Sequence, residues 1–412
     1  MNSLLKNRQY YKFCLYGFLK NLRFFDAFFM LFLVSKGLTY TEIGVLYAVR
    51  EIVINVFEVP SGIFADTYGR KNALIFSFLF YCISFVVFYS SSAFWIFLFA
   101  FILYGLGDAF RSGTHKAMIM DYLKLNKWYS QKINYYGHTR ACSQKGSAIS
   151  SLVAGLIVFY YGSYQNIFLF SIIPYLFNLM LIISYPKELN QSPKIIEAGE
   201  KVVPNMGENF RTLLKIIKQP NVFRILNSSA MFTAYQKAVK DYIQPLMLHV
   251  VVLIPLLTSY EGEKKNGVLI GIIYFVIYLL TSRISQLASR IFEYKKQKNT
   301  YFTMLIGFVF GIATGVFINI ELWVFALLAF VGIYLVENLR KPILTGLVAD
   351  HVPNDILASV LSAQSLWRTI ITAILALLIG LLADYFGIGL AFVFLTSILL
   401  MATIFFNKYQ SP

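Results

Sequence analysis

Residues 58–71 read Glu58-Val59-Pro60-Ser61-Gly62-Ile63-Phe64-Ala65-Asp66-Thr67-Tyr68-Gly69-Arg70-Lys71. One apolar run ends here in two glycines with an acid between them and two cations behind, and another opens at Ala73. Glycines permit a tight loop and close helix approach, while Asp66, Arg70 and Lys71 can make charge-assisted contacts with neighbouring helix ends. The stretch reads as a breakable latch between two long apolar helices.

Working outward, such runs recur along the whole chain of 412 residues, 58% of them hydrophobic and 14% charged. Soluble globular proteins carry about 25% charged residues, and an apolar helix of about twenty residues crosses the hydrocarbon core. Apolar length and polar breaks predict helices over 11–35, 42–64, 72–90, 94–120, 137–161, 164–185, 222–254, 267–291, 300–319, 322–347, 357–383 and 388–407. The expected fold class is an all-α membrane protein of twelve transmembrane helices in two six-helix pseudo-symmetric halves. The halves are residues 1–186 and 221–412, joined by the polar linker 187–220. Lys and Arg gather on one side of this topology (Lys6, Arg8, Lys12, Arg70, Lys71, Lys124, Lys127, Lys132, the linker, Arg290, Lys295, Lys296, Lys298, Lys408), against Lys36, Lys264 and Lys265 on the other. The positive-inside rule then places both termini in the cytoplasm, in a cell (inner) membrane.

The two halves echo each other. Asp108, Arg111 and Asp121 share their spacing with Glu337, Arg340 and Asp350, at an offset of 229 residues for the arginines. Gly155 and Gly162 recur as Gly380 and Gly387. A duplicated bundle of this kind is the mark of a transporter. Helices three, six, nine and twelve hold no Asp, Glu, Lys, Arg or His and suit a lipid-facing position. The others carry Lys20, Arg23, Asp26, Glu58, Asp108, Arg111, His115, Lys116, His138, Arg140, Lys145, Lys237, Lys240, Asp241, Arg283, Glu337, Arg340, Lys341 and Arg368. Charge within the hydrocarbon is costly unless it lines a wet pathway or meets a partner. Arg23/Asp26, Asp108/Arg111/His115, Lys237/Lys240/Asp241 and Gln364/Arg368 each share one helix face. Cations outnumber acids, so the expected solute is anionic or zwitterionic. Its expected contacts are Arg23, Asp26, Asp108, Arg111, Arg140, Lys240, Glu337, Arg340 and Arg368, with Arg111 and Arg340 held by adjacent acids. Salt bridges that merely hold a bundle together, and snorkelling of Lys20, Lys145 and Lys341, are the structural alternatives.

The Gly62–Lys71 stretch resembles the cytoplasmic motif G-x-x-x-D-x-x-G-R-[RK] between helices two and three of the major facilitator superfamily, with every defined position filled. The resemblance extends in topology over about residues 11 to 407. It implies alternating access between two rocking halves. It also implies a latch of Gly62, Asp66, Gly69, Arg70, Lys71 and Asp121, in which Arg70 pairs with Asp121 and Asp66 faces the start of helix eleven, stabilising the outward-facing state. The equivalent loop of the second half, Ser289–Lys296, lacks both glycines, and helix five lacks the G-P-x-x-G-G pattern of proton-driven drug antiporters.

The expected function is secondary transport, as symporter or antiporter, with Asp26, Asp108 and Glu337 as candidate proton carriers and facilitated diffusion if protons are not coupled. A proton-coupled multidrug exporter, for which efflux is the direction, and a lipid flippase are alternative transport readings. A membrane-embedded enzyme is disfavoured, since no H-E-x-x-H or G-x-S-x-G stands in the sequence. No cofactor is expected, and no metal site, because Cys14, Cys82 and Cys142 are far apart and His249 and His351 lie near membrane ends. Dispersed basic residues exclude nucleic acid as a partner, leaving a small-molecule solute, protons and membrane lipids. A monomer is the expected form. Tyr10, Tyr11, Trp95, Tyr160, Tyr161, Trp323 and Tyr409 suit interfacial belts.

Overall fold

The computed structural model describes residues 7–128, 132–190, 220–255, 262–291, 296–351 and 357–409. All regular elements among them are helices: α1 (Arg8–Lys20), α2 (Phe29–Ser35), α3 (Tyr40–Tyr68), α4 (Arg70–Ser90), α5 (Phe94–Arg111), α6 (Thr114–Leu125), α7 (Lys132–Tyr161), α8 (Asn166–Ile183), α9 (Pro220–Val239), α10 (Ile243–Leu253), α11 (Glu263–Ile291), α12 (Lys296–Asn319), α13 (Trp323–His351) and α14 (Leu357–Tyr409). Short 3₁₀ turns lie at Lys187–Asn190 and Lys240–Tyr242. Gly387, at φ 80°, divides α14 in two.

Among the described residues, eight stretches are long and apolar enough to cross a membrane, from Arg70–Ser90 to Gln364–Phe405, the last containing the Gly387 break. The second expected span is the continuous helix α3, which carries Glu42, Arg50, Glu51, Glu58 and Asp66. The first, fourth and seventh expected spans are each broken. The single helices expected over 11–35, 94–120 and 222–254 are therefore corrected to α1/α2, α5/α6 and α9/α10.

Each break has a physical cause. Gly113, at φ 73°, turns the chain between α5 and α6. Pro245 lacks an amide hydrogen and its ring crowds the carbonyl of Asp241, which favours the 3₁₀ turn at Lys240–Tyr242. Residues 21–28 contain neither Gly nor Pro. There the helix restarts at Phe29 because the fully buried Gln244 of α10 accepts from the amides of Met30 at 2.9 Å and Leu31 at 3.3 Å. Those are amides of the first turn of α2, which have no intrahelical acceptor.

The chain forms two compact units. The first comprises residues 1–28, 52–204 and 260–275; the second comprises 29–51, 205–259 and 276–412. Within the first, α4 is stitched to α5 by hydroxyls donating to backbone carbonyls: Ser77 to Gly107 at 2.7 Å and Ser84 to Ala100 at 2.9 Å. Small residues and hydroxyl bonds of this type hold membrane helices together where hydrophobic burial gives no drive. Within the second unit, Tyr235 of α9 bonds to Thr396 of α14 at 3.0 Å, and Trp367 donates to Asn227 at 3.0 Å.

The expected spans without charge present apolar stripes at helical spacing. Phe76, Leu79, Ile83 and Val86 are exposed on α4, as are Leu169, Ile173, Leu176 and Met180 on α8. Phe302, Ile306, Val309 and Val316 follow on α12, and Phe394, Ile398, Met401 and Phe405 beyond Gly387. Steps of three, four and seven residues make one face of each helix, of the kind lipid covers.

Candidate functional site

Every break in a membrane segment coincides with charge. In the first unit the non-helical stretch 21–28 carries Arg23 and Asp26, whose Nη1 and Oδ2 lie 3.8 Å apart. Asp108 and Arg111 close α5 immediately before Gly113. Arg111 donates to Asp108 at 2.8 Å and to the Tyr81 hydroxyl at 3.0 Å, and that hydroxyl donates to Asp108 at 2.5 Å. Asp108, Arg111 and Tyr81 thus satisfy one another. Arg23 is looser: its carboxylate partner is distant and its Nε is buried without a hydrogen-bond partner. Lys20 lies within electrostatic range of Arg23, Arg111, Asp26 and Asp108, a group of three cations and two acids.

The second unit has a cluster of the same sign. Lys240 and Asp241 sit in the 3₁₀ turn, 3.4 Å apart, and the Lys240 carbonyl accepts from the Tyr334 hydroxyl at 2.8 Å. Arg368 on α14 donates to Ser365 at 3.2 Å and keeps its Nε buried without a hydrogen-bond partner. Arg340 on α13 is fully buried, with its guanidinium 5.1 Å from the Phe232 ring centre and a bond to Thr303 at 3.3 Å. Glu337, one turn earlier and 5% exposed, is hydrogen-bonded to Thr233 and keeps Oε2 buried and unbonded. Lys237 lies within range of Arg50, Glu51 and Arg368.

Arg140 stands apart, exposed on α7 two residues into the apolar stretch that begins at His138.

The latch residues gather at one end of α3 and α4. Gly69, at φ 100°, lies against Asn190, leaving no room for a side chain. Arg70 donates to Asp121 of α6. Lys71 donates through Nζ to the carbonyls of Ile183, at 2.5 Å, and Tyr185, at 3.1 Å, which places a cation on the C-terminal end of α8. Asp66 and Gly62 are exposed. The side chains at the start of helix eleven, which Asp66 was expected to face, the Asp350 side chain, the Ser289–Lys296 loop side chains and most of the linker lie outside what the structure describes.

Sequence reasoning missed two groups. Glu51 on α3 is 1% exposed and accepts from Lys237 at 2.5 Å and Arg50 at 3.1 Å. Its signal was available, for Glu51 stands seven residues before Glu58 on one face of an apolar helix. Tyr81 comes from α4, a helix set aside as charge-free; hydroxyls among many interfacial tyrosines carry no such signal.

Comparison with known proteins places this geometry. The chain is 24% identical over 393 residues to "Uncharacterized MFS-type transporter YxaM" of Bacillus subtilis (strain 168), covering 93% of this chain and 91% of the relative. It is similar in fold to the nucleoside transporter NupG, with a TM-score of 0.71 at 15% identity over 97% of each chain. A D-xylose-proton symporter gives a TM-score of 0.67 at 14% identity, covering 96% of this chain and 94% of the other. The peptide transporter POT in complex with sulfate gives 0.65 at 13%, covering 97% and 95%. The family model described as Major Facilitator Superfamily matches residues 21–374, and the chain belongs to that family of membrane transporters.

Proposed function

We propose that the chain is a secondary transporter that moves a small anionic or zwitterionic solute by alternating access. In this reading the six-helix halves 1–186 and 221–412 rock about a central site, with the linker 187–220 and both termini in the cytoplasm of a cell bounded by the membrane it spans. The observation that carries it is the coincidence of helix breaks with part-buried charge in expected spans one, four and seven. Unwound backbone at membrane depth is tolerated where it lines a cavity, and discontinuous helices build the substrate sites of such transporters. Each unit keeps a cationic excess, and Arg23 and Arg368 each keep a buried donor unused. Within the first unit Arg23, with Arg111 as supporting charge, and within the second Arg368, with Lys240 and Arg340, are the contacts offered to the solute's negative group, and Arg140 is a further candidate.

A coupled proton would ride on a carboxylate beside these cations: Asp26, Asp108 or Glu337, to which Glu51 is added by its burial between Arg50 and Lys237. The test of solute class is a thermal-shift screen of purified protein against anionic, zwitterionic and cationic solutes and lipids, since a ligand selective for the native state raises its stability. An anion that stabilises the wild type but not an Arg23→Gln/Arg368→Gln variant supports the reading. Stabilisation by hydrophobic cations or lipids alone overturns it in favour of a multidrug exporter or a lipid flippase.

A further inference from the structure

Residues 380–387 read Gly380-Leu381-Leu382-Ala383-Asp384-Tyr385-Phe386-Gly387. They follow the pattern of Gly62-Ile63-Phe64-Ala65-Asp66-Thr67-Tyr68-Gly69: an opening glycine, an Ala-Asp pair, an aromatic and a closing glycine. Both closing glycines have left-handed backbone, φ 100° at Gly69 and 80° at Gly387. The first copy ends α3; the second lies in α14 and meets the opposite end of α3.

Each element of the second copy has a mechanical part. A Cβ on Gly380 would lie 2.4 Å from the Tyr40 carbonyl oxygen, so glycine there lets α14 close on the start of α3. One turn on, Asp384 accepts from the Tyr40 amide at 2.9 Å and from the Thr41 amide at 2.7 Å, one bond to each carboxylate oxygen. These are first-turn amides without intrahelical acceptors, at the positive end of the helix dipole. Yet α3 does not depend on Asp384 for a cap. Thr39 accepts from the Glu42 amide at 3.2 Å and Glu42 accepts from the Thr39 amide at 2.9 Å, a complete capping box within the helix's own sequence. The Asp384 bonds are therefore supplementary, join segments 344 and 343 residues apart, and are exposed, where water competes for both partners. Bonds of that kind can break and re-form.

We propose that Gly380, Asp384 and Gly387 form a second latch, at the face opposite the Gly69–Arg70 loop, which clasps α14 to α3 while that face is shut and releases when it opens. This rests on the alternating-access reading. The first unit holds a partial counterpart. Gly155–Gly162 keeps both glycines and a positive φ of 62° at Gly162, but Phe159 stands where Asp384 does. There a carboxylate comes from elsewhere: Glu263 of α11 accepts from the Tyr164 amide at 2.8 Å.

The test needs no solute. In a background with Cys14, Cys82 and Cys142 replaced, Ala376→Cys serves as reporter. Ala376 is 1% exposed, and a Cβ on Gly44 of α3 would lie 2.4 Å from its carbonyl oxygen, so it is covered by the closed α3–α14 contact. Labelling of full-length protein in intact cells by a membrane-impermeant maleimide should rise about fivefold with Asp384→Ala, the effect of losing one good helix cap. Asp384→Asn, which keeps one acceptor, should give a smaller rise and serves if the alanine variant does not fold. Asp66→Ala, at the other end of α3, should lower the rate, because it frees the opposite latch. An unchanged rate in folded Asp384 variants, or equal rises from Asp384 and Asp66 variants, overturns the proposal. Transport failing while the labelling shifts would overturn alternating access of a solute and leave the latch standing.

Discussion

Asp108 and Arg111 in the first unit and Glu337 and Arg340 in the second have the same spacing on pseudo-equivalent helices, but they live in different surroundings. The Arg111 side chain is 22% exposed and Arg340 is fully buried. Helix α5 stops directly after Arg111 and turns at Gly113, whereas α13 runs unbroken for 29 residues. The first pair is satisfied by Tyr81, which accepts from the arginine and donates to the acid. In the second, the arginine lies over Phe232 and bonds to Thr303. A duplicated sequence spacing therefore sets a like pair in each half, while a backbone break after one copy goes with a part-exposed pair and the unbroken helix with a buried one.

That contrast can be broken by experiment. Arg340→Ala should have the largest effect on stability, since it empties a fully buried site and leaves the buried Glu337 without the cation nearest it along the helix; uncompensating a buried charge costs about 3–5 kcal/mol. Thermal unfolding in detergent measures it, and an Arg111→Ala variant that loses as much would erase the distinction. Lys237→Met, which strands Glu51 with Arg50 alone, should cost about 3 kcal/mol, and adding Glu51→Gln should recover most of it. If the double variant regains stability without regaining transport, the pair serves function as well as packing.

Smaller changes sharpen the comparison. Tyr81→Phe removes the hydroxyl that ties Arg111 to Asp108 and should cost about 1 kcal/mol, with a larger proportional loss of transport than of stability. Gly113→Ala tests the break itself. A Cβ there meets nothing within 4 Å, so only the left-handed backbone opposes it, at a cost of about 1–2 kcal/mol. Uptake assays beside thermal unfolding separate the two readouts.

The spans and their lipid stripes were legible because apolar length and charge-free helices are one-dimensional signals. The break at Gly113 was written as Ser112-Gly113 and the one at Lys240–Tyr242 as Pro245, four residues beyond Asp241. The break at 21–28 was not legible. It holds neither Gly nor Pro, and the partner of the first amides of α2 is Gln244, more than 200 residues away. For the same reason the sequence exposed Arg23, Asp108 and Arg368 as charges but could not rank them. Ranking requires knowing that Arg111 is satisfied by Tyr81 while the Nε atoms of Arg23 and Arg368 are buried without a hydrogen-bond partner. Glu51 hid in plain view, since an Arg-Glu neighbour pair reads as self-neutralising until Lys237 is seen beside it.

The most direct test of the central claim is uptake of radiolabelled carboxylates, phosphates, amino acids and cationic dyes into proteoliposomes, comparing wild type with Arg23→Gln, Arg368→Gln and the double variant. The account predicts saturable uptake of at least one anion or zwitterion, reduced by either single change and abolished by the double change while the protein remains folded. Uptake confined to cations, or anion uptake indifferent to both arginines, would contradict it.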